Sequence, residues 1–473
     1  MEMLLAGAWV DRPERIEVLD PFDNSLIDTV PSATLADVEA ALAAAVEGAK
    51  LARALPAFER ARILAAVGRV VEERSDYFAH MIAREGSKTI REARKEVSRC
   101  VNTLRSCAEE ARRIHGETIP FDNFPGGEQR RGYFERVPVG VVLAITPFND
   151  PLNLVAHKLG PAIAAGNAVI LKPATVTPLS ALELTRAFVD AGLPQLTLQT
   201  LTGRGSAIGD PLVSDERVRM ISFTGGVEAG RHITSRAGIK KIGMELGSNS
   251  PVIVWQDADI TWAVESCVSG AFWAAGQNCI GVQRIYIHEE VFAKFRDDFV
   301  ARAASYTIGD KLDEATDMGP MITEQEADRV VQWVRAATQA GAEVLTGGEH
   351  SGALVQPTVL EGVPRSAQVH CQEVFGPTVN LYSIRDEDEA IAEANSLPFG
   401  LHAALFTQNV DMAFRLANRL QCGGVMINDS TDYRLDTMPF GGIKYSGLGR
   451  EGVRFSIEEM TETKVVCWLL RES

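Results

Sequence analysis

Basic residues are in the minority: 47 Lys and Arg stand against 63 Asp and Glu, a net charge of −16 over 473 residues. A surface of that sign repels phosphate, which excludes a nucleic-acid footprint built on basic patches. Long apolar runs are missing too. None approaches the roughly 18 residues that span a bilayer, and the longest candidate, residues 137–145, holds Pro138 and Gly140 and reads as a buried strand. No basic residue precedes the short apolar patch of the first ten positions, so no secretory leader is expected. Seven cysteines contain neither a CxxC pair nor a Cys/His set at zinc spacing. A disulfide framework and a metal site are therefore not expected, and a reducing cytoplasm is the simplest home. What is present is ordinary for a folded chain: 46 % apolar and 23 % charged residues exclude disorder over most of the length. At roughly 150 residues per domain the length points to about three units.

Helical periodicity dominates the first hundred residues, over 35–54, 60–84 and 90–114. Thr34 and Asp37 stand at capping-box spacing ahead of the first helix. Residues 118–136 turn Gly/Pro-rich and charged, the composition of a hairpin leaving the main body. From 137 onward short apolar runs alternate with helical patterns, which predicts a parallel sheet covered on both faces, and a second alternating unit runs from 252 to about 428. The apolar end, 463–470, reads as a strand that needs a partner, hence a subunit contact.

Several short motifs carry chemistry. Phe223-Thr224-Gly225-Gly226 follows a strand and opens a helix, where backbone N–H groups can meet an anion; it also reads as an ordinary tight turn. It is neither a Walker A loop nor GxGxxG. Cys279, in Gly276-Gln277-Asn278-Cys279, is a candidate nucleophile or a small core residue. Glu245, at the end of an apolar strand in Met244-Glu245-Leu246-Gly247, is either paired or a general base with a raised pKa. Asn149 ends Thr146-Pro147-Phe148-Asn149 at the carboxyl end of a strand, where open α/β sheets bind ligands. Its amide suits an oxyanion, and it also fits a helix N-cap. Lys172 ends the next strand, as a ligand contact or a solvated charge.

In order and spacing, TPFN (146–149), LKP (171–173), FTGG (223–226), MELG (244–247), GQNC (276–279), QEVFGP (372–377) and PFGGIKYSGLGREG (439–452) resemble the NAD(P)-dependent aldehyde dehydrogenase superfamily over essentially the whole chain. The resemblance implies an α/β fold in three parts. A Rossmann-type parallel-sheet cofactor domain would comprise 1–117 and 138–247, an α/β catalytic domain 248–447, and a small β oligomerisation arm 118–137 and 448–473. It implies Cys279 as nucleophile, the Asn149 amide and Cys279 N–H as oxyanion donors, and Glu245 as the base that activates water. Thr146, Pro147, Phe148, Lys172, Thr175, Gly205, Thr224, Gly225, Gly226, Leu246, Glu373 and Phe375 would hold NAD or NADP, with no metal. Two positions depart from the commonest pattern: Ser248 stands where a second glycine is frequent, and Thr175 where NAD-specific members frequently have Glu. A neutral Thr175 removes repulsion against a 2′-phosphate, so the expectation is NAD with dual use open.

The same resemblance places Arg99, Asp150, Asn153, Leu154, His157, Asn278, Ile280 and Arg434 around the aldehyde tunnel. Two arginines and a histidine imply a small aldehyde with a distal anion, since guanidinium forks bind carboxylate, phosphate or phosphonate. Helical geometry alone turns Arg99 away from the apolar stripe and reads it as solvated. Arg434 equally suits a loop salt bridge, and His157 simple packing. The nearest branch resembles lactaldehyde, glyceraldehyde-3-phosphate and phosphonoacetaldehyde dehydrogenases. The arginine pair singles out a phosphonoaldehyde, with Asn278 standing where phosphonoacetaldehyde enzymes carry a further arginine. Succinate semialdehyde, lactaldehyde and glyceraldehyde-3-phosphate stay open. A coenzyme A-dependent acylating enzyme is disfavoured by retention of Glu245, and a silent binding protein by the intact Cys279, Asn149 and Lys172. A cytoplasmic homodimer or homotetramer, without nucleic acid or membrane partner, completes the expectation.

Overall fold

The computed structural model describes residues 1–470. The first helix, Leu35–Ala54, starts at the expected cap: Thr34 Oγ1 accepts from Asp37 N at 3.3 Å, and Asp37 Oδ2 accepts from Thr34 N at 2.8 Å. The region 60–84 is not one helix. It breaks at Arg74 into Ala57–Glu73 and Ser75–Glu85, because Ser75 and Asp76 favour a first turn over a helix interior. The next helix, Ile90–Glu110, has its own capping box at Thr89 and Glu92.

Two sheets organise the rest. The first has eight strands in the order Ala8–Val10, Met3–Leu5, Leu198–Thr200, Ala168–Lys172, Val141–Ile145, Met220–Thr224, Lys241–Glu245, Gly447–Leu448. Its five central strands are parallel. Apolar clusters cover both faces: helices 57–110, 153–165 and 179–190 on one, helices 35–54, 205–214 and 227–236 on the other. From Val141–Ile145 the chain steps outward one way, then returns to pair Met220–Thr224 on the opposite side. The crevice at such a reversal, outside the carboxyl ends, is where doubly wound sheets bind ligands. Thr146 and Thr224 stand there.

The second sheet orders Glu343–Thr346, Thr358–Glu361, Thr378–Ile384, Val282–His288, Ser250–Val254, His402–Phe406, Gly424–Ile427 around a core drawn from residues 252–420. The expected hairpin forms a three-stranded sheet in which Arg130–Pro138 pairs Thr461–Leu469 on one side and Glu117–Thr118 on the other. The C-terminal segment does not join this arm at 448. Gly447–Leu448 pairs Met244–Glu245, and helix Val453–Glu459 buries Val453 and Ile457 in the first domain's core, so the arm begins at Thr461. Residues 471–473 of the expected arm lie outside the described residues. Among the described residues no helix is long and apolar enough to cross a membrane.

Candidate active site

Cys279 reaches its place through an irregular turn. The sequence pattern carries a helix to 275, but the helix ends at Phe272, and Ala274, Ala275 and Gly276 take φ of 50°, 56° and 70°. Two successive non-glycine residues in that region are costly and need outside support. Glu92 Oε1 accepts from Ala274 N at 3.0 Å, and Gln277 clamps the turn, donating to Ala274 O at 3.0 Å and accepting from Ile322 N at 2.9 Å. Gly276 is required by contact: a Cβ there would lie 2.3 Å from the carbonyl oxygen of Gly376. The GQN residues before the cysteine thus build the turn that presents it.

The sulfur is a free, half-buried thiol lining a cavity of about 580 Å³. Asn149 Nδ2 donates to Gln277 O at 2.9 Å, which pins the amide beside the cysteine turn. Among the described residues the backbone N–H of Cys279 has no intramolecular acceptor, leaving it available to an oxyanion. Burial pushes the thiol up to about 12; Arg434 pulls the other way, and Glu373 and Glu245 add to the rise. The resting cysteine is therefore protonated at neutral pH. Alkylation of Cys279 by iodoacetamide, followed by peptide mass spectrometry, should rise about tenfold per pH unit from 7 to 9 without a plateau. A plateau below pH 8 would show an already ionised thiolate.

Glu245 closes its strand fully buried, and its Oε2 has no hydrogen-bond partner. Burial, then the charge of Glu451, raises its pKa well above the ordinary range. Burial alone would lift Glu451 as well, but Lys158 (2.9 Å) and Arg434 (3.0 Å) outweigh it and hold that carboxyl ionised. The two carboxylates are thus pushed apart, Glu451 toward its charged form and Glu245 toward a raised pKa suited to exchanging a proton. Lys158 and Glu451 escaped sequence reasoning. The available signal was a lysine inside the predominantly apolar helix Asn153–Ala165, since a buried ammonium demands a carboxylate.

The dinucleotide candidates gather at the reversal in the first sheet. The hydroxyls of Thr146 and Thr224 are buried without partners. Among the described residues Lys172 has no acidic partner, only Pro173 O at 3.2 Å, and burial lowers it to about 8. Gly226 precedes the ten-residue helix Val227–Arg236, and a Cβ on it would meet nothing within 4 Å. Gly205 opens the neighbouring helix Gly205–Ser214, Thr175 Oγ1 donates to Gly203 O at 3.2 Å, and Leu246 packs in the core beneath. Glu373 crosses from the second domain: Oε1 accepts from Ser248 N at 2.9 Å, and a Cβ on Gly247 would lie 2.2 Å from Oε2. That close approach explains the glycine after Glu-Leu. Burial lifts Glu373 to about 7. Phe375, at φ 47°, sets its ring edge-to-face against Phe148 with centroids 5.7 Å apart; Pro147 lies between Thr146 and Phe148 in the same turn. Orphaned hydroxyls, an unpaired ammonium and an open helix N-terminus are groups that a ribose and a pyrophosphate satisfy, so these residues fit a nicotinamide dinucleotide.

Of the tunnel residues, Arg99, Asp150, Leu154, Asn278, Ile280 and Arg434 line the cavity with Cys279 and Asn149. Asn153 and His157 do not. They lie fully buried behind the wall, both hydrogen-bonded to Asp436 Oδ1, at 3.2 and 2.9 Å. Burial and Arg434 lower His157, so it stands as a neutral ring whose Nε2–H is assigned by the bond to Asp436. Arg99 is not simply solvated: it donates to Asp436 at 2.9 Å and Asp150 at 3.3 Å. The buried Lys88 also pairs with Asp150 and with Glu96. Arg434 stacks 3.7 Å over Phe440 besides pairing Glu451, and its buried Nε has no partner. Among the described residues no group of three or more His, Cys, Asp or Glu side chains is placed to hold a metal ion.

Comparison with known proteins agrees with this geometry. Residues 9–466 match the aldehyde dehydrogenase family. The chain is 51 % identical to aspartate-semialdehyde dehydrogenase 1 of Pseudomonas canavaninivorans, covering 96 % of each chain. It is 44 % identical to 3-sulfolactaldehyde dehydrogenase of Priestia aryabhattai, over 97 % of this chain and 96 % of that one. The crystal structure of aldehyde dehydrogenase 21 from Physcomitrella patens, in complex with the reaction product succinate, superposes with a TM-score of 0.97 at 38 % identity, covering 99 % and 98 %. The chain belongs to the aldehyde dehydrogenase family and is an oxidoreductase.

Proposed function

We propose that the chain oxidises a small aldehyde bearing a distal anion to its carboxylic acid: aldehyde, NAD(P)⁺ and water give acid, NAD(P)H and protons. The Cys279 thiol releases its proton to water, the thiolate so formed adds to the aldehyde carbon, and the Asn149 amide and the Cys279 N–H hold the resulting oxyanion. The residues at the sheet reversal would hold a nicotinamide dinucleotide, which would supply the hydride acceptor that the passage from thiohemiacetal to thioester requires. Glu245, in its ionised form, then takes a proton from the water that hydrolyses the thioester. Lys172 and Glu373 would hold the two riboses, and Phe148 and Phe375 would pack by the nicotinamide end. The observation that carries this reading is one free thiol lining a cavity beside both the pinned Asn149 amide and Arg434.

The anion reading rests on Arg434 and Arg99 lining that cavity and on the acidic substrates named for two relatives. The arginine pair supports a phosphonoaldehyde such as phosphonoacetaldehyde. The names of those relatives favour a carboxylate or sulfonate instead. A kinetic panel of phosphonoacetaldehyde, succinate semialdehyde, lactaldehyde, glyceraldehyde-3-phosphate and propanal, with NAD and with NADP, tests both. The anionic aldehydes should exceed propanal in kcat/KM; parity with propanal contradicts the reading. Arg434→Ala should lower kcat/KM for an anionic aldehyde roughly 10- to 100-fold more than for propanal, as for a lost charged hydrogen bond. Equal losses would remove the arginine from substrate recognition. Retention of Glu245 supports a free acid rather than an acyl-coenzyme A product. The exposed edge of Thr461–Leu469, carrying Val465, Trp468 and Leu469, supports a homo-oligomer.

A further inference from the structure

The cavity has a second wall that the reaction above leaves without a task. Helix Ile260–Phe272 lines it with Trp262, Ser266 and Ser269, spaced four and three residues apart and so on one face. Loop residues Asp429 and Asp432 line it as well. Gly270 lets the loop close on the helix: a Cβ there would lie 2.9 Å from Asp432 Oδ1.

The charges on this wall are unbalanced. The cations lining the cavity each have another partner, Lys88 and Arg99 with Asp150, Arg434 with Glu451, and Lys95 over the Trp273 ring at 4.9 Å, while Arg99 and Arg434 each keep a buried Nε–H without a partner among the described residues. Glu265, the third acid of the wall, is neutralised by Arg302 at 3.1 Å. Asp429 accepts from Ser430 N at 2.8 Å, and among the described residues no basic group lies within 4 Å of it or of Asp432, on which Lys95 acts only from farther away. Independently of these acids, Ser266 lines the cavity and is only 7 % exposed, and its buried hydroxyl has no hydrogen-bond partner among the described residues. A buried hydroxyl without a partner is costly, and so is a carboxylate facing a cavity without a counter-ion. Trp262 adds an exposed ring held by its indole N–H donating to Asn428 O at 2.8 Å. Carboxylate, hydroxyl oxygen and aromatic face are the three groups that recognise an ammonium ion. A substrate carrying only an anion would leave the two aspartates repelling it.

We propose that this wall is an ammonium subsite and that the substrate is an amino-acid semialdehyde, its anion toward the arginines and its amino group against Asp432, Ser266 and Trp262, an assignment that rests on the anionic-aldehyde reading above. Aspartate semialdehyde and succinate semialdehyde test it, because they share aldehyde, carboxylate and chain length and differ only in the ammonium group. The wild-type kcat/KM should favour aspartate semialdehyde by about tenfold or more, as for one charged hydrogen bond. Asp432→Asn and, separately, Ser266→Ala should each pull that ratio toward one, with melting temperatures reporting whether the variants fold. A wild-type ratio at or below one overturns the subsite, and so does a ratio untouched by both substitutions. If succinate semialdehyde far exceeds propanal but the ratio is at or below one, the subsite alone fails. If neither semialdehyde exceeds propanal, the anionic-aldehyde reading fails with it.

Discussion

Cys279→Ala should abolish aldehyde-dependent NAD(P)H formation, a loss of roughly four to six orders of magnitude, the scale seen when a nucleophile is removed from a covalent mechanism. Dinucleotide binding should survive. The residues fitted to the cofactor stand on Thr146–Phe148, Lys172, the Thr224–Gly226 turn and Glu373, and their positions depend on the first sheet and on the Glu373 contact with Gly247 and Ser248. None of these contacts passes through the sulfur. The turn that presents Cys279 is held by Glu92 and Gln277, so alanine leaves its support in place. The other cysteines are no substitute: Cys100, Cys107 and Cys267 are fully buried with thiols raised by burial, and Cys371, Cys422 and Cys467 do not line the cavity. Stopped-flow absorbance for turnover and fluorescence titration for the dinucleotide separate the two properties. Substantial turnover in the variant would remove the cysteine from the mechanism.

Glu245→Gln should give a burst of about one NAD(P)H per subunit and then a steady state lowered by about 10²- to 10⁴-fold, the usual weight of a general base. Glutamine keeps the shape of the side chain while removing its capacity to take a proton from water. The first half of the reaction needs Cys279, Asn149 and the bound dinucleotide, and these remain. The pH profile adds an independent readout. Burial and the neighbouring Glu451 charge hold Glu245 protonated above the ordinary carboxylate range, so wild-type deacylation should rise with pH as Glu245 ionises. The variant's residual rate should lack that rise. An unchanged steady state in Glu245→Gln would assign the base elsewhere.

Much of the architecture is legible in the chain because local rules and tertiary needs agree. Capping boxes at Thr34 and Thr89 start helices where the pattern puts them, and the apolar runs between 141 and 245 pair as parallel strands. Disagreement arises where a distant contact overrides the local preference. The small residues 274–276 continue a helical pattern, yet Glu92, Gln277 and Gly376 pull them into left-handed conformations. Arg99 sits opposite the apolar stripe of its helix, but Asp150 and Asp436, brought in from other parts of the chain, turn it to the cavity. His157 and Asn153 fall on a helix beside the site, yet both point to Asp436 behind it. The buried pairing of Lys158 with Glu451 joins positions 293 residues apart, a separation at which no periodicity gives a signal.

The most direct test of covalent chemistry at position 279 is peptide mass spectrometry of acid-quenched Glu245→Gln enzyme, incubated with an aldehyde substrate and NAD(P)⁺. A covalent mechanism through Cys279 predicts one acyl group per subunit, carried as a thioester on the peptide containing Cys279. An unmodified Cys279 in an enzyme that has produced its burst, or the acyl group on another residue, would contradict it.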